Sequence, residues 1–145
     1  MSDVLTLSQI KVPGTARTKD DAIREAGGIL VDAGAVDPAY IDSMFERERS
    51  VSTYMGNYLA IPHGTNESKE TIKRSALSVI RYDEPIDWDG NEVRFALGIA
   101  GYQGGHMDIL SRIAIVFSDT DEVDKLLAAE SAEELFELLN AVNEE

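Results

Sequence analysis

Two aliphatic runs with a tight turn between them constrain this chain more than any other feature. Residues 75–82 and 93–100 are rich in aliphatic side chains, and Asp89-Gly90 lies between them. Runs of this length bounded by turn residues read as strands, and Asp-Gly suits a tight turn. Two weaker candidates precede them. Residues 4–12 alternate faintly until Pro13-Gly14 breaks the pattern, and 58–61 forms a short run that Pro62 ends. His63-Gly64-Thr65 therefore sits just beyond a strand end.

Helical patterns flank these strands. Thr18 reads as an N-cap, with Asp20 and Asp21 in the first turn. Ala22, Ile23, Ala26, Ile29 and Leu30 then recur at helical spacing, and Gly34 is placed to end the helix. Gly27-Gly28 costs that helix about 1 kcal/mol per residue relative to Ala, which marks close packing against another element. Asp37-Pro38 opens a second helix, with Asp37 as cap and Pro38 in the first turn, Ile41, Met44 and Phe45 on its apolar face and an end near Arg49-Ser50. His106 opens a third, with Ile109, Leu110, Ile113, Ala114 and Phe117 inward. Residues 121–129 and 131–142 read as short helices, the last with Ser131 and Glu134 as a capping box. Trp88 reads as partly buried packing at a strand end. Two helices before the main strands and three after them do not make a regular βαβ alternation. The class is thus α/β, with a mixed rather than a purely parallel sheet.

Composition narrows the chemistry. The 145 residues suit one domain, 1–145, and 43% hydrophobic residues supply a core despite a net charge of −14. There is no cysteine, which excludes disulfides, thiolate metal sites and cysteine catalysis within the chain. A pI near 4.4 argues against a nucleic-acid surface, which needs clustered Lys and Arg. The acids gather in 118–145, where ten Asp or Glu face one Lys; this reads as solvated helix faces or an acidic docking surface. No run reaches the ~18 apolar residues of a membrane span, and Met1-Ser2-Asp3-Val4 lacks a signal-peptide layout. A soluble cytoplasmic protein is expected.

The chain has two histidines, His63 after a strand end and His106 after a glycine-rich loop. Neither sits on an apolar helix face, and each reads either as a surface residue or as a functional one. A phosphoryl carrier needs an exposed imidazole titrating near neutrality, together with cationic or N–H donors for the transferred oxygens. Arg47 ends the helix before the His63 strand and offers a planar fork for phosphate; its other reading is an ion pair with Glu46, Glu48 or Asp42. The Gly104-Gly105 loop leads to a helix N-terminus, which favours anions. The Lys-Ser/Thr of a nucleotide-binding loop is missing. No His-x-x-x-His pair is present, so no metal site is indicated.

The segments Met44-Phe45-Glu46-Arg47-Glu48, Ser52-Thr53-Tyr54-Met55-Gly56-Asn57 and Ala60-Ile61-Pro62-His63-Gly64-Thr65 carry a family resemblance. So do Leu97-Gly98-Ile99-Ala100 and His106-Met107-Asp108-Ile109-Leu110, with Thr18-Lys19 and Ala22-Ile23, and Gly34-Ala35-Val36 and Tyr40, fitting the N-terminal helices. Together they resemble the mannitol/fructose class of phosphotransferase-system EIIA components, most of all the mannitol branch, over nearly the whole chain. The resemblance implies a mixed (parallel and antiparallel) central sheet of about five strands flanked by helices. It implies that His63 accepts a phosphoryl group on Nε2 from phospho-HPr and passes it to a cysteine of an EIIB domain for mannitol or hexitol uptake. Arg47 would bind the phosphoryl oxygens and His106 would steady the phosphorylated ring. No cofactor is implied, and the membrane would be met only through the EIIBC permease, with this chain free-standing. Several relatives carry an acidic or amide residue before the second histidine, where this chain has Gly104-Gly105. A fructose-class EIIA, a regulatory EIIA-like module and an interaction module without phosphotransfer are the alternatives.

Overall fold

The two aliphatic runs form the centre of a five-stranded mixed sheet in the computed structural model. It describes residues 5–65, 70–101 and 106–139, the side chains of 106–108 excepted. The strands are β1 (Ile10–Lys11), β2 (Tyr54–Gly56), β3 (Leu59–Ala60), β4 (Ala76–Trp88) and β5 (Asn91–Ala100). Their order is β1-β4-β5-β3-β2. β1 runs parallel to β4 and β3 parallel to β5, whereas β4–β5 and β2–β3 are antiparallel.

β4 and β5 read as almost unbroken apolar runs because helices cover both faces of the sheet. Leu77, Val79, Phe95, Leu97 and Ile99 point to one face; Ala76, Ile80, Tyr82, Ala96 and Ala100 point to the other. This is the period-2 alternation of a strand. The first face packs under α3 (His106–Phe117), α4 (Thr120–Ala128) and α5 (Ala132–Leu139). The second packs under α1 (Lys19–Asp32) and α2 (Ala39–Ser50).

Small residues let α1 sit close to the sheet. Ser78 Oγ donates to the Ala26 carbonyl at 2.9 Å and accepts from the Gly98 amide at 3.2 Å. A Cβ on Gly98 would lie 2.5 Å from Ser78 Oγ and 3.2 Å from Ala26 Cβ. Gly27 answers the packing expectation, since a Cβ there would meet Ile41 Cγ1 at 2.7 Å and Met44 Sδ at 2.9 Å on α2. Gly28 faces open space.

Local signals placed most boundaries. Thr18 Oγ1 accepts from the Asp21 amide, and Gly34 takes φ +75° after α1. Asp89 and Gly90 adopt φ +55° and +93° in the β4–β5 turn, the left-handed pair of a two-residue hairpin. Ser131 Oγ accepts from the Glu134 amide at 3.2 Å.

Five expectations need correction. Pro38, not Asp37, holds the cap position of α2, and no side chain caps it, because the helix begins only at Ala39. In 4–12, a short 3₁₀ turn occupies Leu7–Gln9 and only Ile10–Lys11 is strand; Val4 lies outside the described residues. β4 continues past Tyr82 to Trp88, because a register shift between Arg81 and Ile86 absorbs the polar Asp83-Glu84-Pro85 segment. Trp88 is fully buried rather than partly so. Ala114 is exposed, and Val116 packs with Ile109, Ile113 and Phe117 instead. The expected helix tail 140–142 lies outside the described residues.

Candidate functional site

His63 is placed by the end of β3. The Ile61 amide donates to the Thr53 carbonyl at 3.1 Å, and the Ile99 amide donates to the Pro62 carbonyl at 3.1 Å. Proline cannot donate to a ladder, yet its carbonyl carries the pairing with β5 one step further. His63 then bridges Ile99 in parallel register. The residue is half-buried, and its Nδ1 lies 2.8 Å from the Ile61 carbonyl oxygen. A carbonyl only accepts, so Nδ1 carries the hydrogen and the lone pair of the neutral ring resides on Nε2.

The topology brings the histidine-bearing segments out at one edge. β3 and β5 are parallel, and each leaves the sheet at its carboxyl end, β3 toward His63 and β5 toward α3. His106 begins α3 as expected. Its side chain and the Gly104-Gly105 loop lie outside the described residues.

Arg47 is in the last turn of α2, half-buried, with Nη1 donating to the Val51 carbonyl at 2.7 Å. A cation there also suits the helix dipole. Among the described residues it forms no ion pair with Glu46, Glu48 or Asp42. Glu48 is committed elsewhere. It is buried and accepts from the Thr53 amide (2.9 Å), Thr53 Oγ1 (2.6 Å) and Trp88 Nε1 (3.0 Å). Those bonds fix the segment following Arg47 to β4. Through the Thr53 carbonyl, they also fix it to the strand that ends in His63.

Tyr40 supplies a second anchor. Its ring is buried; its hydroxyl donates to the Ile99 carbonyl at 2.6 Å and accepts from the Gly64 amide at 2.9 Å. Burial pushes the phenol up to about 12 against the opposing pull of the Gly64 N–H, so it remains a protonated donor at neutral pH. Sequence reasoning did not single out Tyr40 or Glu48 as site residues. The available signal was spacing: Tyr40, Met44 and Glu48 form an i, i+4, i+8 stripe on α2. Polar groups on a buried stripe must find partners.

Among the described residues no group of three or more His, Cys, Asp or Glu side chains is arranged to hold a metal ion. None of the described helices is long and apolar enough to cross a membrane. The chain offers an anchored imidazole with a defined lone pair and a guanidinium on the preceding helix, with α3 following the parallel strand β5. That set suits nucleophilic transfer of an anionic group.

The model of the family "Phosphoenolpyruvate-dependent sugar phosphotransferase system, EIIA 2" matches residues 3–142. A mannitol-specific phosphotransferase enzyme IIA component from Halalkalibacterium halodurans is 54% identical over 141 residues, covering 97% of each chain. Enzyme IIAMTL of Escherichia coli, solved in complex with phosphorylated enzyme IIBMTL, superposes with a TM-score of 0.88 at 30% identity, covering 94% of this chain and 97% of that one. The crystal structure of IIA mannitol from Escherichia coli gives 0.86 at 31% identity, covering 93% and 98%.

Proposed function

The chain belongs to the EIIA 2 family of the phosphoenolpyruvate-dependent sugar phosphotransferase system, and from that premise we propose that it is the phosphoryl carrier of a mannitol or hexitol uptake system, with His63 as acceptor. The Nε2 lone pair attacks the phosphorus held on the phosphohistidine of HPr. A new N–P bond forms as the old one breaks, and its electron pair returns to the HPr imidazole. In the second step a cysteine thiolate of EIIB attacks the same phosphorus, and the His63 N–P electrons return to Nε2. The His63 ring needs no general base, because its nucleophilic nitrogen is unprotonated at the start.

The observation that carries this reading is the His63 Nδ1 contact with the Ile61 carbonyl. It fixes the tautomer and orients the ring, and phosphoryl transfer depends chiefly on positioning and charge. Arg47 is the residue suited to the phosphoryl oxygens, and His106 the one to steady the phosphorylated ring. The carrier would meet HPr in the cytoplasm and the membrane only through its EIIBC permease. The mannitol assignment draws support from the Halalkalibacterium relative, and EIIB as acceptor from the Escherichia coli complex.

Incubation with phospho-HPr is expected to leave an acid-labile, base-stable phosphate on the protein, and a mannitol EIIB is expected to remove it. His63→Ala should take none. Labelling of that variant at the wild-type level would overturn the assignment, and failure to discharge to any hexitol EIIB would point to a regulatory role instead.

A further inference from the structure

We propose that Tyr40 is a positioning residue for phosphoryl transfer at His63, its hydroxyl tying the turn after the histidine and the end of β5 to the helix that carries Arg47. The proposal rests on His63 being the acceptor. The hydroxyl uses its one hydrogen and a lone pair on two backbone groups that flank the His63 bridge. It donates to Ile99, the residue that His63 pairs with, and accepts from Gly64, the residue after it. Both partners are main-chain groups, so the bond fixes the backbone from which the imidazole hangs.

The helix gives this anchor a second consequence. Positions 40 and 47 differ by seven, close to two turns at 3.6 residues each, so Tyr40 and Arg47 lie along one side of α2. Met44, between them, is fully buried, and Gly27 lets α1 press against it. The helix is therefore a stiff bar with one end bonded to the His63 turn and the guanidinium near the other. Removing the hydroxyl frees the Gly64 amide and the Ile99 carbonyl together. It loosens the registry between nucleophile and cation without touching the reacting atoms.

The test compares Tyr40→Phe with Tyr82→Phe, which deletes the hydroxyl of another buried tyrosine, bonded to Glu25 at 2.7 Å, outside the proposed site. Rates of phosphorylation by phospho-HPr are normalised to the folded fraction from circular dichroism. Tyr40→Phe is expected to lower kcat about tenfold, within the range that small misplacements cost, with KM for phospho-HPr unchanged. Tyr82→Phe should match the wild type. A kcat for Tyr40→Phe within twofold of wild type, or equal slowing in both variants, would overturn the role of Tyr40. Hydrogen exchange in the unaltered protein gives an independent check. The Gly64 amide should be protected, and exchange at the rate of an unstructured peptide would also overturn the proposal. Labelling of His63→Ala would sink the acceptor assignment itself. A wild-type rate in Tyr40→Phe while His63→Ala stays unlabelled would remove only Tyr40.

Discussion

Replacing Glu48 separates the effect of its hydrogen bonds from that of its charge. The carboxylate is 5% exposed and accepts three bonds, two from Thr53 and one from Trp88 Nε1. Glu48→Ala leaves the Thr53 amide and the indole N–H without partners in a buried place. Each orphaned donor costs about 1–3 kcal/mol, so the variant should lose ~3–5 kcal/mol after partial relaxation. Glu48→Gln is different. Its amide oxygen can take the position of Oε2 and still accept from the Thr53 amide and Trp88. Its NH₂ then faces Thr53 Oγ1, whose hydroxyl can turn to accept. All three contacts survive, and only the charge assistance is lost, about 1 kcal/mol. The chain has one tryptophan, so Trp88 fluorescence in a urea titration reports unfolding from inside this network. Losses of similar size in the two variants would refute the hydrogen-bond account in favour of one based on charge. A loss under 1 kcal/mol in Glu48→Ala would refute both.

Other outcomes follow from the same geometry. Glu25 is pushed up by burial but pulled further down by Lys11, Thr15 and Tyr82, to about 2 from its ordinary 4.5. A lowered carboxylate contributes stability above its unfolded value and loses it as pH falls toward the folded one. The drop corresponds to ~3 kcal/mol at most, and screening of the half-exposed Lys11 arm trims this to about 1–2. Glu25→Gln should show that deficit in urea at pH 7 and about half of it near pH 3, and a gap that widens in acid would contradict the sign. Gly98→Ala forces a methyl against Ser78 Oγ and Ala26 and should cost about 1–3 kcal/mol, read as a lower Tm; an unchanged Tm would show that α1 is not seated closely. Arg47→Lys keeps a charge but not the planar fork. It should slow phosphorylation by phospho-HPr about 10²-fold, and wild-type kinetics would remove Arg47 from the site.

Features set by a few adjacent residues were legible in the sequence. The Thr18 cap, the Asp89-Gly90 turn and the Ser131 cap each depend on local backbone chemistry, and each lies where its residue type predicts. The central strands were legible because helices cover both faces, making their sequences continuously apolar. What escaped depends on long-range contact. β2 has three residues at the sheet edge and no buried side chain, so it carries no hydrophobic signature. Asp83-Glu84-Pro85 hid the second half of β4, because a register shift there leaves no local mark. Trp88 reads as a strand-end aromatic until Glu48, forty positions away, receives its N–H. The site divided in the same way. His63 and Arg47 were visible as residue types that phosphate chemistry uses. Tyr40 was legible only as part of the family resemblance, because its two hydrogen-bond partners are backbone groups of β5 and the His63 turn.

The most direct test of the account is the ring nitrogen that carries phosphate. After phosphorylation by phospho-HPr, ¹⁵N and ³¹P NMR of the intact protein should place the phosphorus on Nε2 of His63, with Nδ1 still protonated toward the Ile61 carbonyl. Phosphate on Nδ1 of His63, or on His106, would contradict the geometry from which the function is argued.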